Sequence, residues 1–172
     1  MNTIPAPCSH HSPKRVERFT AIVIHDTGGK SATSALVWFA DPTSKVSSHL
    51  VIDRGGVVYQ PVPFDRVAWH AGTSILHGEP EVNQFSYGIE LVDDRDAPDD
   101  PYPTAQMQAL TLAVVELCDR DKIPLNRVIG HEQIAVPRGR KADPGKDFPW
   151  YEFLKQVGTL LPFTIGAVGR GV

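Results

Sequence analysis

The chain has 172 residues, of which 41% are hydrophobic and 22% charged, and this length and composition suit one globular domain with its own hydrophobic core. The formal net charge of −3 gives no indication of a nucleic-acid partner recognised through bulk charge. No apolar run approaches the roughly 20 residues of a membrane-spanning helix, so no integral membrane segment is expected.

The first 18 residues are polar and rich in proline. They predict an extended N-terminal leader (1–18) that lies on the following domain, with His10 and His11 solvated. The leader lacks the apolar centre of a secretory signal peptide, so we expect a cytoplasmic protein. The domain itself is expected to span residues 19–161, followed by an apolar C-terminal tail at 162–172.

Apolar runs bounded by turn residues predict strands at 19–24, 48–53, 57–62, 66–70, 85–92 and 127–129. The turn at 53–56, with two glycines, predicts a hairpin between the second and third of these strands. Apolar residues at helical spacing predict helices at 34–40, 104–120 and 149–161, with Thr104 as an N-cap and Pro149 in the first turn of the last helix. The stretches 93–103 and 135–148 are predicted loops. Strands interleaved with helices predict an α/β protein with a single mixed β-sheet flanked by helices.

The chain contains two cysteines, Cys8 and Cys118, and no pattern indicates that they pair. We expect a free buried thiol at Cys118 and no particular role for Cys8. Because two cysteines cannot build a zinc site alone, any metal would have to be held by histidines and carboxylates.

Two histidines and one aspartate stand at positions suited to a metal. His25 ends the buried strand 19–24 and leads into a glycine loop, and His131 follows the short strand 127–129. Asp143 lies in the loop after it. Two imidazoles and one carboxylate leave a fourth position for water, which is the composition of a catalytic zinc site. On residue types alone, each histidine could equally be an ordinary hydrogen-bonded side chain.

Glu90 lies inside the predicted buried strand 85–92. A buried carboxylate is costly unless it is paired or functional, and desolvation would raise its pKa toward the range of a general acid or base. The alternative is a structural glutamate held by an arginine or by backbone amides.

Lys141 stands two residues before Asp143. If this loop is extended, both side chains project to the same side, and the lysine could stabilise a developing oxyanion. The alternative is a solvated lysine in a basic loop.

Seven short motifs follow one another along the chain: IVIH (22–25), VSSHLVI (46–52), AWHAG (68–72), YGIEL (87–91), IGHE (129–132), RKADPG (140–145) and FPW (148–150). Their order and spacing resemble the zinc N-acetylmuramoyl-L-alanine amidases of the AmpD and type-2 amidase family, which also includes phage amidases and animal peptidoglycan recognition proteins. The resemblance covers roughly residues 20 to 155. It implies the mixed-sheet fold of that family.

The resemblance also implies roles for individual residues. His25, His131 and Asp143 match the ligands of one zinc ion per chain, and Glu90 and Lys141 match the catalytic carboxylate and lysine. Some phage amidases carry a tyrosine just before the histidine of the second motif. This chain has Ser48 there and has Glu90, which places it nearer the AmpD-like branch. Residues expected to contact the substrate or to support the ligands are His49, His70, Trp69, Arg66 and Arg138.

The implied reaction is hydrolysis of the amide bond between the muramoyl lactyl group and L-alanine. Glu90 would take a proton from water and return it to the leaving amine, while zinc and Lys141 would stabilise the oxyanion. Trp38 and Tyr59 could line the substrate groove or belong to the core, and the core is favoured for Trp38. His77 is expected to be a solvated loop residue.

Several alternatives remain at this level. The chain could be a peptidoglycan-binding module that does not cut its ligand, although such modules usually lack the third metal ligand and Asp143 is present. As an enzyme, it could act on soluble muropeptides in recycling, or on intact wall after release by a phage-type lysis route. A protein with only structural zinc is a third class. A monomer is expected.

Overall fold

The computed structural model describes residues 1–93 and 102–161. Its strands are β1 (Ile4–Pro5), β2 (His11–Arg15), β3 (Ala21–Asp26), β4 (Leu50–Ile52), β5 (Val58–Gln60), β6 (Arg66–Ala68), β7 (Ile75–Leu76), β8 (Glu79–Pro80), β9 (Ser86–Leu91) and β10 (Val128–Gly130). Its α-helices are α1 (Ala32–Ala40), α2 (Thr104–Asp121), α3 (His131–Ile134) and α4 (Trp150–Leu160). Short 3₁₀ turns at Val82–Phe85 and Leu125–Arg127 precede β9 and β10.

A six-stranded mixed sheet with the strand order β1-β5-β4-β9-β3-β10 forms the centre of the fold. β4, β9, β3 and β10 run parallel to one another, and β5 is antiparallel to β4 through the predicted hairpin. The predicted mixed sheet with flanking helices is therefore confirmed. The strand predicted at 66–70 is a difference, because β6 pairs with β2 in a separate two-stranded sheet.

One face of the sheet carries the main hydrophobic core. Side chains alternate between the faces along a strand, so Ile22 and Ile24 of β3 point to this core together with Ile89 of β9. Helices α2 and α4 cover the face with apolar residues such as Leu117 and Phe153, both about 1% exposed. Burial of such side chains stabilises the fold by roughly 1.5–3 kcal/mol each.

The opposite face of the sheet carries the polar side chains. Here Val23 joins a smaller cluster, and His25 follows it on the same face. On β9 the same alternation brings Gly88 and Glu90 to this side, because Ile89 belongs to the main core. Helix α1 packs its buried Phe39 against Val51 of β4 on this face. Among the described helices, α1 and the short α3, whose Ile134 joins the Val23 cluster, lie on the polar face, while α2 and α4 cover the other face.

Several predicted boundaries shift by a few residues. Helix α1 begins earlier than predicted because Ser31 caps it, its side chain accepting from the Ser34 N–H. Thr104 is the first residue of α2 and not its N-cap, since Pro103 precedes the helix and no side chain caps it. Most of the predicted loop 93–103 and the whole predicted tail 162–172 lie outside the described residues.

The predicted leader is part of the sheet structure. β1 pairs with β5 at the edge of the central sheet, and β2 pairs with β6. Cys8 is not without contacts, because it is buried and its thiol donates to the Phe39 carbonyl at 3.0 Å. His10, which was expected to be solvated, is 8% exposed. Among the described helices, none has the length and apolar character to cross a membrane.

Candidate metal centre and active-site cleft

The polar residues meet where the parallel strands of the central sheet end. His25 and Glu90 are direct partners in the register of β3 and β9. Gly130, the last residue of β10, pairs with Ile24, so His131 follows in the same row. The carboxyl edge of a parallel sheet is where open α/β folds place their sites. Sheet pairing alone therefore aligns two histidines and a glutamate at one edge.

Three potential ligand atoms form an equilateral triangle at this edge. His25 Nδ1 lies 3.0 Å from His131 Nδ1, and each of these nitrogens lies 3.0 Å from Asp143 Oδ2. The three residues form a group that could hold a metal ion. Zinc bonds of about 2.0–2.2 Å in tetrahedral geometry require ligand atoms about 3.3 Å apart, close to the observed spacing. Two imidazole nitrogens and one carboxylate oxygen also match the donor preference of zinc.

The second nitrogen of each candidate ligand histidine is fixed by a hydrogen bond. His131 Nε2 lies 3.0 Å from the Ala71 carbonyl oxygen, which can only accept, so Nε2 carries the proton. His25 Nε2 lies 3.0 Å from His70 Nδ1, and His70 Nε2 faces the Ser86 carbonyl at 3.4 Å. His70 therefore donates to Ser86 and accepts from His25. Both candidate ligand histidines present an unprotonated Nδ1 to the triangle.

His49 and His70 were both expected near the cleft, but only His70 lines it. His70 lines the cleft beside His25. His49 is completely buried, accepts from the Gly88 N–H at 3.0 Å and faces the Arg66 carbonyl at 2.9 Å through Nε2. Of the two roles expected for His49, support of neighbouring residues fits this burial, and direct contact with a substrate does not. His49 supports β9 and packs edge-on against His70.

Asp26, which was not among the predicted site residues, fixes the loop that bears Asp143. Its Oδ2 accepts from the Gly145 N–H at 2.8 Å and from the Tyr102 hydroxyl at 2.9 Å. Burial raises the pKa of Asp26, and these two hydrogen bonds lower it by less, so the pKa is raised to about 6. Its position directly after His25, at the end of a buried strand, was the available signal.

The electrostatics of the triangle favour cation binding. Burial lowers the pKa of His25 to about 4, which keeps the imidazole neutral and able to ligate. Although burial raises the pKa of Asp143, the adjacent imidazoles of His131 and His25 hold it well below its ordinary value. Asp143 is therefore ionised at neutral pH. The triangle carries one negative charge and two neutral nitrogen donors.

Glu90 lines the cleft next to the triangle. Burial, and then the negative charges of Asp143 and Asp26, raise its pKa to about 8, while Lys141 acts in the opposite direction. Lys141 is exposed at the cleft and its charge also lowers the pKa of His25. The structure thus brings a carboxyl group with a raised pKa and a cation into the cleft that contains the triangle.

An open cleft of about 380 Å³ extends from the triangle toward helix α1. Trp69 and Trp38 line it and are 36% and 52% exposed, so the expectation that Trp38 belongs to the core is wrong. His10 stacks on Trp69 with ring centroids 5.8 Å apart and an interplanar angle of 9°. The cleft therefore has an aromatic wall, and the N-terminal segment supports part of it.

The other expected substrate contacts lie outside this cleft. The Arg66 guanidinium donates to the Pro13 carbonyl in the N-terminal segment and is not among the residues that line the cleft, so its substrate contact stays a prediction. Arg138 lines a neighbouring groove of about 720 Å³ that shares Lys141 with the cleft. Tyr59 packs at the edge of the α1 cluster rather than in the cleft, and His77 is exposed as predicted.

A comparison with known families identifies the type of protein. The model of the N-acetylmuramoyl-L-alanine amidase family Amidase_2 matches residues 15–146, which include the whole triangle, Glu90 and Lys141. The chain belongs to this amidase family. The match begins after His10, so the stacking partner of Trp69 lies outside the part that defines the family.

Curated amidases resemble the chain over much of its length. The 1,6-anhydro-N-acetylmuramyl-L-alanine amidase AmpD of Enterobacter cloacae is 33% identical over 168 residues, covering 87% of this chain and 86% of that protein. AmpD of Citrobacter freundii is 42% identical over 109 residues, covering 63% of this chain and 56% of that protein. AmiD, an N-acetylmuramoyl-L-alanine amidase of Escherichia coli, is 33% identical over 153 residues, with 81% and 53% coverage.

Solved structures of the family share the fold. A crystal structure of a selenomethionine AmpD derivative superposes with a TM-score of 0.77 at 33% identity, covering 90% of this chain and 93% of that one. Escherichia coli AmiD in complex with the substrate anhydro-N-acetylmuramic acid-L-Ala-D-γ-Glu-L-Lys superposes with a TM-score of 0.72 at 31% identity, covering 84% and 60%. The predicted amidase fold is therefore confirmed.

Proposed function

We propose that the chain is a zinc-dependent hydrolase that cleaves the amide bond between the lactyl group of N-acetylmuramic acid and L-alanine. The observation that carries this proposal is the 3.0 Å triangle of His25, His131 and Asp143 beside Glu90, in a member of the amidase family. A purely structural zinc would be enclosed by four protein ligands, whereas these three lie on the wall of an open cleft.

His25, His131 and Asp143 would hold one zinc ion per chain. When bound there, zinc supplies Lewis acidity, because it lowers the pKa of water toward about 7 and polarises a carbonyl oxygen. The hydrogen bonds to Ala71 and His70 keep both imidazoles in the tautomer that this role requires.

Glu90 acts as general base and then as general acid. Its carboxylate takes a proton from the water that attacks the lactyl carbonyl carbon. It then returns this proton to the leaving amine of L-alanine as the carbon–nitrogen bond breaks. A raised pKa suits this cycle, because the group must both accept and release a proton near neutral pH.

Lys141 stabilises the negative charge that develops on the carbonyl oxygen. It is exposed at the cleft, on the loop that also bears Asp143. A fixed cation beside a developing oxyanion lowers the barrier because it interacts more strongly with the transition state than with the substrate.

The substrate class is a muropeptide. The aromatic wall formed by Trp38 and Trp69 suits the apolar face of a sugar ring. The stem peptide of the bound substrate would extend toward Lys141 and Arg138. The names of the AmpD relatives specify 1,6-anhydro muramyl substrates, and this similarity supports soluble anhydro-muropeptides rather than intact wall as the substrate of this chain. A soluble substrate of this kind in turn supports a recycling role in the cytoplasm rather than release by a phage-type route.

The test is mass spectrometry of purified peptidoglycan and of anhydro-muropeptides after incubation with the protein. We expect free stem peptides with a new alanine amino terminus, faster from anhydro-muropeptides, abolished by a chelator and restored by zinc. Faster release from intact wall would overturn the recycling role. No release from either substrate by folded, zinc-loaded protein would replace the enzyme with a peptidoglycan-binding module.

A further inference from the structure

Arg140 reaches from the loop before Asp143 to a turn on the other side of the metal centre. Its Nη2 donates to the carbonyl oxygens of Ala71 at 3.1 Å and of Thr73 at 2.8 Å. Its Nε donates to the Val136 carbonyl at 3.0 Å, within its own loop. One guanidinium therefore fastens two separate chain segments to each other.

The Ala71 carbonyl is the link to the metal centre. The same oxygen that accepts from Arg140 also faces His131 Nε2 at 3.0 Å, the contact that sets the tautomer of this ligand. Gly72 lies between the two carbonyls at φ +56°, and a Cβ built there would be 3.5 Å from the guanidinium nitrogens. The turn thus brings its backbone close to Arg140, with a conformation that favours glycine.

The turn also follows His70 directly in sequence. His70 orients His25, and Arg140 precedes Lys141 and Asp143 on the opposite loop. The guanidinium accordingly joins the segment that orients both ligand histidines to the segment that supplies the third ligand.

We infer that Arg140 is a positioning residue of the metal centre, which holds the Ala71 carbonyl where it orients His131 for zinc. This inference rests on the proposed zinc site but not on the proposed reaction. Arginine is suited to this task because its planar fork reaches several carbonyls at once, which the single ammonium of a lysine does not reproduce. Residues that orient metal ligands typically contribute about 10- to 100-fold to metal affinity.

The experiment measures the zinc dissociation constant of chelator-treated protein by competition with a chromophoric chelator. We expect Arg140→Ala to bind zinc about 10- to 100-fold more weakly than the wild type, and Arg140→Lys to fall between them. The matched control is Arg138→Ala, which removes the same charge from an exposed position in the same loop and leaves the contacts to Ala71 and Thr73 in place. It should keep the wild-type constant.

Urea unfolding of the metal-free proteins separates positioning from a general loss of stability. If Arg140 had only a structural role, Arg140→Ala would lower the free energy of unfolding, but the folded variant would keep a zinc dissociation constant within twofold of the wild type. That result would overturn the inference. If Arg140→Ala does not fold, Arg140→Lys decides, and an unchanged constant in that variant would have the same meaning. A wild-type protein that binds no zinc would instead refute the proposed function.

Discussion

Gly88 lies directly against the ring of His70: a Cβ built on Gly88 would be only 2.4 Å from His70 Cγ. No ordinary contact allows this separation, so a side chain at position 88 would force the imidazole away from the sheet. His70 Nδ1 faces His25 Nε2 at 3.0 Å, so the displacement would reach a proposed metal ligand. The absence of one side chain on β9 thereby determines the position of a histidine that orients the site.

We predict that Gly88→Ala weakens zinc binding by about 10- to 100-fold, because it displaces the residue that orients His25. The overpacked site should also lower the free energy of unfolding by about 1–3 kcal/mol. Zinc content after dialysis and urea unfolding measure the two effects. Gly55→Ala is the control, since its Cβ would meet only Asp53 Oδ1 at 3.4 Å. Wild-type zinc retention in Gly88→Ala would contradict the prediction.

Zinc should stabilise the wild-type protein and not Asp143→Ala. A ligand that binds only the folded state stabilises it by about 4 kcal/mol when its concentration is a thousandfold above the dissociation constant. Asp143→Ala removes the only charged atom of the triangle and should lose both bound zinc and this stabilisation. Thermal unfolding with and without zinc measures the difference, with exposed Asp147→Ala as the control. Stoichiometric zinc in Asp143→Ala would remove Asp143 from the ligand set.

Glu90 should make the metal-free protein less stable as the pH rises. Its pKa in the folded state, about 8, lies above the ordinary value of 4.5, so folding favours the protonated form. This contribution to stability is complete below pH 4.5 and is lost as the pH rises through 8. Between pH 4.5 and pH 8.5, metal-free wild type should therefore lose more than about 1 kcal/mol relative to Glu90→Gln.

Urea unfolding of chelator-treated proteins at the two pH values tests this expectation. The exposed Glu152→Gln is the control for a glutamate-to-glutamine change elsewhere and should follow the wild-type curve. Parallel pH dependences of wild type and Glu90→Gln would mean that Glu90 is not desolvated in the folded protein.

In the zinc-loaded enzyme, Glu90→Gln should lower kcat by about 10²- to 10⁴-fold while zinc content stays unchanged.

His10→Ala should affect substrate binding more than turnover. The variant removes the ring that stacks on Trp69, so the aromatic wall loses a support while the metal triangle is untouched. We expect KM for an anhydro-muropeptide to rise several-fold with kcat nearly unchanged. His10→Phe should restore most of the wild-type KM, because it keeps a flat ring. His77→Ala, in an exposed turn, is the control, and a fall in kcat at constant KM would argue against this role.

The sheet edge that carries the site could be predicted from the sequence because its polar residues interrupt or end apolar strand patterns. His25 ends an apolar run, and Glu90 is a charge inside another. Once both segments are parallel strands, their ends must meet at one edge. Asp143 lies in a loop without periodicity, so residue types made it only a candidate ligand and the motif resemblance assigned it.

Side-chain directions set by tertiary packing were not accessible. Trp38 was expected in the core, but Ala35 and Phe39 occupy the inner side of α1 and leave Trp38 at the cleft. The environments of the His10 and Arg66 side chains depend on the pairing of the N-terminal segment with β6, and no local sequence pattern predicts this pairing. Arg140 stands in a basic loop whose composition predicts only a solvated surface.

The three residues of the triangle come from widely separated parts of the chain: His25 and His131 are 106 positions apart, and His25 and Asp143 are 118 apart. In small zinc-binding modules with closely spaced ligands, the metal can nucleate local structure. Here the ion has no complete binding site until β3 has paired with β10 across most of the chain. Zinc should therefore slow unfolding without accelerating folding, and its tight uptake during refolding would report that the last long-range strand pairing is complete.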